Sequence, residues 1–502
     1  MSQKLDEFRK YLEKLNYYRR ACTLMSWDMY TATPKLGYQD MADALTWFST
    51  EEFTLSTSEE LYGMLASLTE PEEFDALDEV WKYTVRFMKK DLDEKRRVPK
   101  DFYAAFVAEQ SASMKVWEEA KGASDYSLFA PHLRKMIDMT VQMAAYTHPG
   151  KETYDVLLDQ YEEGVTAQDI DKVFGELKEG LLPLVHQILS RPEAKCRFIG
   201  RNYDPDAQKR VQELLLNYIG FNMDAGTTSA SEHPFTSGFG ARDVRITNHY
   251  YADNPMSAVF SAIHEGGHGI FDQNTLAEAY GTPAAECSNM GIHESQSRFF
   301  ENILGRRLSF WQPIYPKVQS LLLALADIPV EEFVQEACHV QASMIRTEAD
   351  EVTYPLHVIL RYEMEQAIFR DHVPVEQLPE LWNQKMEKYL GIRPVNDAEG
   401  ILQDMHWSDG SFGYFPSYLL GSIYDGMFLE AMESDLGDLD DILCRGDIAV
   451  ITHWLNEKIH RNGGMEKPKD ILKRVCGKDL TAQPLLDYFR KKYLFDSSSI
   501  GS

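Results

Sequence analysis

The chain has 502 residues, 44% of them hydrophobic, so it can bury a large core, and length alone would accommodate about three domains. Its formal net charge of −28, with no stripe of Lys or Arg, excludes nucleic acid as a partner and repels anions generally. A negatively charged substrate group would therefore need its own arginine or metal.

No apolar run reaches the length of about 18 residues that a membrane span requires, so no membrane partner is expected. The opening "MSQKLDEFRKYLEKLNYYRR" lacks the apolar stretch of a secretory signal, and a cytoplasmic protein is expected. Leu5, Phe8, Leu12, Leu15 and Tyr18 fall on one face of an N-terminal helix. "DIDKVFGELKEGLLPLVHQIL" and "QPLLDYFRKKYLF" repeat the pattern. In "FGARDVRITNHYY", Val244 and Ile246 alternate with polar neighbours, which predicts a short strand or ribbon. Six cysteines without CxxC spacing argue against a disulfide framework or thiolate zinc cage and read as buried small hydrophobes. No repeat, low-complexity linker or composition shift divides the chain. The expectation is an all-α protein, one unit over residues 1–502, with lobes around a cleft and a small sheet.

The ribbon leads into "NPMSAVFSAIHEGGHGIFDQ", where Asn254 is placed to cap a helix and Pro255 to occupy its first turn. At about 3.6 residues per turn, His264 and His268 project from one face, a spacing that lets two imidazoles bind one Zn²⁺. Glu265 sits beside them, placed to reach a water on the metal. With 14 histidines, an accidental HExxH arises in roughly a few per cent of such chains, so these letters alone do not establish a site. Gly266 and Gly267 together cost about 2 kcal/mol in a helix relative to alanine, so something must approach that backbone closely.

A catalytic zinc needs a third protein ligand and an open position. Glu286 in "TPAAECSNM" and Glu294 in "MGIHESQSRFFENILG" are the candidates. Glu294 is preferred because it lies near the start of a second amphipathic helix, whereas Glu286 precedes a loop. Two histidines and a glutamate form a hydrolytic ligand set, with Glu265 as the base that passes a proton to a leaving amine. His293, adjacent to Glu294, is a candidate for supporting the metal site or facing substrate.

These residues resemble the M32 metallocarboxypeptidases. The motifs "HPF" at His233, "DVRIT" at Asp243, "HEGGH" at His264, "HESQ" at His293, "IRTEAD" at Ile345 and "GILQDMHW" at Gly400 occur in order. "SWDMYTATP" and the C-terminal helical tail extend the similarity over nearly the whole chain. The resemblance implies an all-helical gluzincin fold with two lobes around a deep cleft, a homodimer, and one zinc per subunit, with cobalt as a substitute. It also implies Glu294 as the third ligand and Glu265 as the base. The family's first motif reads Asp-Pro-Phe or His-Pro-Phe. This chain has His233, a substrate-contacting candidate, so no side-chain specificity is carried over.

Removing a C-terminal residue requires recognition of a free carboxylate, which in so acidic a chain calls for a placed guanidinium. Arg346 is the first choice and Arg245 the second. An ion pair of Arg346 with Glu348, Asp350 or another acid is the competing reading. The extended "DVRIT" segment is a candidate for pairing with a peptide as an added strand. In "QDMHWSDGSFGYFPSYLLG", Tyr414 is assigned to the oxyanion and His406 to substrate contact. The expected activity is release of single C-terminal residues from peptides. Two alternatives are a related oligopeptidase or dipeptidyl carboxypeptidase, and a non-catalytic binding protein that keeps zinc for stability.

Overall fold

The computed structural model describes residues 2–191, 196–287 and 289–495. Its helices enclose two hydrophobic cores. The smaller is N-terminal: Leu5, Phe8, Leu12 and Leu15 of the helix Gln3–Thr31 pack on Leu61, Leu65, Val85 and Met88 of the helices Glu59–Leu68 and Glu79–Arg97. The larger runs from Ala120 to Tyr493 and contains the centre of the histidine helix. This is the expected all-α, two-lobed architecture with a small sheet.

The N-terminal helix bridges the two cores. Asn16 Nδ2 donates to the Gly281 carbonyl at 2.6 Å and Arg20 Nη2 to that of Phe239 at 2.9 Å. The Trp27 and Tyr30 rings stand edge-on to Phe235 at 5.4 and 5.7 Å. The adjoining helix Tyr38–Ser56 has no buried residue and leaves Tyr38, Trp47 and Phe53 about half exposed.

The sheet has strands β1 (Gly226–Ala230), β2 (Thr236–Gly238) and β3 (Val244–Asn248), in the order β1-β3-β2. β3 pairs parallel to β1 and antiparallel to β2. The alternation around Val244 and Ile246 thus marked a real strand, with both side chains buried. However, "DVRIT" is the central strand, with its backbone groups engaged on both sides, so it cannot accept a peptide as a neighbour; β2 and β1 form the edges.

Asn254 caps the histidine helix, Pro255–Gln273, accepting from the Met256 N–H at 3.0 Å, with Pro255 in the first turn. Its glycines answer to packing. A Cβ on Gly266 would meet Ile219 and Leu216 at 2.5 and 2.8 Å, and one on Gly267 would meet the Gln296 carbonyl at 2.6 Å. All six cysteines are free, and their burial departs from expectation: Cys338 is buried, Cys444 is exposed and the others are half-buried. Among the described residues no helix is long and apolar enough to cross a membrane.

Candidate metal centre and active site

Close approach at Gly267 brings the histidine helix against a second one, Met290–Arg298, which carries Glu294. A third, Phe415–Leu436, packs behind Glu294, where a Cβ on Gly421 would lie 3.0 Å from the Glu294 Cγ. Nε2 of His264 lies 3.9 Å and Nε2 of His268 3.5 Å from Glu294 Oε2. Two donors each about 2.0–2.2 Å from one tetrahedral ion lie about 3.4 Å apart, so this triangle fits a single zinc-sized cation. One ligand atom from each residue falls within 4.8 Å of the others, and Glu286 is not part of the group.

Each ligand is held from behind. His264 Nδ1 donates to Glu301 Oε2 at 2.9 Å, and Glu301 Oε1 accepts from Arg306 Nη2 at 3.0 Å. Glu301 lies where the Glu294 helix widens into a π-helical stretch, Phe299–Leu304, which sets its approach to the histidine helix. His268 Nδ1 lies 2.6 Å from His293 Nδ1, and His293 Nε2 3.0 Å from Asp272 Oδ1. Because the Asp272 carboxylate only accepts, a neutral His293 gives it the Nε2 proton and accepts from His268 with Nδ1. His268 then presents a bare Nε2. Glu294 Oε1 accepts from Arg298 Nε at 2.6 Å, and that guanidinium lies 4.0 Å over the Tyr354 ring. Burial works against the Glu294 charge, but Arg298 and the two histidines hold its carboxyl well below the usual range.

Both ring nitrogens of His293 are thus engaged by His268 and Asp272, which leaves neither free to meet substrate and agrees with the supporting role of the two expected for it. Glu265 is buried, with Oε2 2.7 Å from Thr236 Oγ1 on β2. The sheet therefore fixes the orientation of this carboxylate.

Arg346 Nε reaches Asp404 Oδ1 at 3.0 Å, so the competing acid is Asp404 rather than Glu348 or Asp350. Asp404 Oδ2 is shared with Arg361 Nε at 2.6 Å. Two guanidiniums around one carboxylate leave an excess positive charge. Arg361 is fully buried, so Arg346, over the Tyr418 ring at 4.9 Å, is the member near the aromatic wall. Arg245, by contrast, is neutralised within its own loop: it pairs with Asp243 through two bonds of 2.9 and 3.0 Å and stacks on Phe239.

That wall gathers Tyr414, Tyr418 and His406. The Tyr414 ring lies 5.0 Å from Tyr418 and 5.5 Å from His406, and His406 Nε2 lies 3.3 Å from the Tyr418 hydroxyl. Burial and the nearby Glu294 charge push the Tyr414 phenol up to about 12, so it stays a donor at neutral pH. Burial also lowers His406 to about 4, leaving it neutral. His233 is exposed, its carbonyl tied to the Ser231 hydroxyl at 2.5 Å.

Sequence reasoning missed Asp272, Thr236, Asp404 and Arg361, and gave Glu301 no role. Asp272 had a signal: it continues the four-residue spacing of His264 and His268 along one helix face.

A helical fold with a half-buried His-His-Glu triangle beside a second glutamate has the donor chemistry of a metallopeptidase. Residues 7–493 match the family described as carboxypeptidase Taq (M32) metallopeptidase. The chain is 42% identical to carboxypeptidase 1 of Bacillus subtilis over 97% of each sequence. Its structure superposes on the M32 carboxypeptidase from Deinococcus radiodurans with a TM-score of 0.94, at 29% identity and covering 100% of both chains. For the Pyrococcus furiosus carboxypeptidase the TM-score is 0.93 at 33% identity, covering 98% of this chain and 99% of that one. The chain belongs to the M32 family and is a metallocarboxypeptidase acting on peptides.

Proposed function

We propose that His264, His268 and Glu294 hold one zinc ion per subunit and that Glu265 is the general base for release of single C-terminal residues. Zinc is favoured by the donor chemistry, two imidazoles and a carboxylate with no thiolate, and cobalt would suit the same donors. When bound, the ion supplies Lewis acidity that polarises the scissile carbonyl and acidifies water. Glu265, oriented by Thr236, takes a proton from the attacking water and delivers it to the leaving amine. The Tyr414 hydroxyl donates to the developing oxyanion, and neutral His406 lines the substrate's path. Arg346 receives the terminal carboxylate. The observation that carries this assignment is the excess positive charge of Arg346 and Arg361 around Asp404 in a chain of net charge −28. Arg245 and His233 are secondary contacts near the sheet.

The exposed apolar side chains of the helix Tyr38–Ser56 support a homodimer that covers this face. We place the enzyme in the cytoplasm and treat residues 1–502 as one functional unit.

Glu265→Gln should reduce peptide hydrolysis by about 10²–10⁴-fold while one metal per chain is retained. Retained turnover would remove Glu265 from its role. Product masses from an N-blocked peptide should form a ladder of single-residue losses from the C-terminus; dipeptide steps or internal fragments would reject single-residue release.

A further inference from the structure

A cavity of about 260 Å³ lies beyond the helical run that carries Glu294 and Glu301, and none of the proposed ligands, Glu265 or the aromatic wall lines it. Arg306, Arg307, Lys491 and Lys492 converge there, a concentration of positive charge at odds with the net −28 of the chain. Two of the four are engaged by buried acids: Arg306 by Glu301 and Lys492 by Glu351. The other two are less tightly paired with acids. Arg307 donates through Nε to the Ile303 carbonyl at 2.7 Å and meets carboxylates only at 3.3 Å (Asp440) and 4.0 Å (Glu433), and Lys491 forms no ion pair among the described residues. Asp440 Oδ1 accepts from Ser309 at 2.5 Å and from Arg307, whereas its Oδ2 accepts no hydrogen bond among the described residues. Leu308 and Val334 add hydrocarbon to the lining.

Cations, a carboxylate oxygen that accepts no hydrogen bond and hydrocarbon around one cavity complement a small zwitterion with an apolar substituent. The space is below the ~300–1,000 Å³ of sites for drug-sized ligands, which suits one amino acid rather than a peptide. We propose that this cavity binds a free α-amino acid with an apolar side chain, its carboxylate on Arg307 and Lys491 and its ammonium on Asp440. Such molecules are the products of carboxypeptidase action, so the cavity would sense product. Arg306, next to Arg307, holds Glu301, and Glu301 holds His264, which links the cavity to the metal centre. That link rests on His264 being a metal ligand; binding in the cavity does not.

Equilibrium dialysis of labelled leucine against the metal-loaded enzyme tests the proposal. Two leucines per chain are expected, one as product in the active site and one in the cavity. Asp440→Asn and Lys491→Ala should each weaken the second by at least about tenfold and leave kcat without added leucine unchanged. N-acetylleucine, which lacks the ammonium, should leave the cavity leucine bound. One leucine per chain in the native enzyme, two of unchanged affinity in both variants, or displacement by N-acetylleucine at matching concentration would each overturn the proposal. The link is read separately: leucine should lower kcat at saturating peptide in the native enzyme and not in Lys491→Ala. Purely competitive inhibition, identical in the two, would overturn the link, and loss of metal binding in His264→Ala tests the reading on which it rests.

Discussion

The two histidines of the HEGGH motif face the same point but are supported differently. His264 leans directly on a carboxylate, Glu301, itself paired with the half-buried Arg306. His268 leans on another imidazole, His293, and only through it on Asp272. Burial lowers the basicity of both rings. For His264 the Glu301 hydrogen bond and the Glu294 charge reverse this and raise it to about 9, whereas for His268 burial and two imidazole neighbours outweigh Glu294 and Glu265 and keep it below its ordinary value. A cation entering the site at neutral pH therefore displaces a proton from His264 and none from His268. Identical ligands one helical turn apart thus become a strong and a weak donor through their second partners.

The comparison breaks first at Glu301. Glu301→Ala removes the acceptor behind His264 and leaves the largely enclosed Arg306 without its carboxylate partner. Metal affinity should fall by about 100-fold, with stability lower by about 3–5 kcal/mol. Chelator competition and thermal unfolding of the metal-loaded protein measure the two effects; an affinity within a factor of two of the native value would deny Glu301 its role. His293→Leu should have a smaller effect, about tenfold on metal affinity. The His268 Nδ1 proton then has no acceptor, and the tautomer that relieves this puts the proton on the nitrogen facing the metal. If the two supports are independent, the double variant should show the product of the single effects; a coupling above about 0.5 kcal/mol would mean that they act as one network.

The sequence made one half of this arrangement far more visible than the other. The histidine pair follows from helical periodicity, and Glu294 from the helix that presents it, because both depend on local rules. The parts set by packing were less legible. Glu301 meets His264 only because the helix departs from α geometry after Arg298, which no spacing rule anticipates. Asp404 stood two residues from His406 in a quoted motif, yet its placement between Arg346 and Arg361 depends on the helix Tyr354–Phe369 arriving from elsewhere in the chain. The alternation around Val244 and Ile246 revealed a strand but not its neighbours, so a central strand read as an open edge. The glycines were legible as a close approach without a partner; the partners are the Ile219 and Leu216 side chains at Gly266 and the Gln296 backbone at Gly267.

The smallest expected effect lies at the far end of the weaker support. In Asp272→Asn the side-chain oxygen still accepts from His293 Nε2, so the relay keeps its hydrogen bonds and loses only the charge. The native carboxylate is one quarter exposed, and solvent screens its charge. The difference between a charge-assisted and a neutral bond here should be about 0.5–1 kcal/mol, or about two- to fivefold in metal affinity. Chelator competition resolves such a change if both proteins are titrated side by side. A loss as large as that of His293→Leu would mean that the Asp272 charge acts on His268 through the ring between them. Both histidines would then be carboxylate-backed, and the contrast between the donors would lie in distance alone.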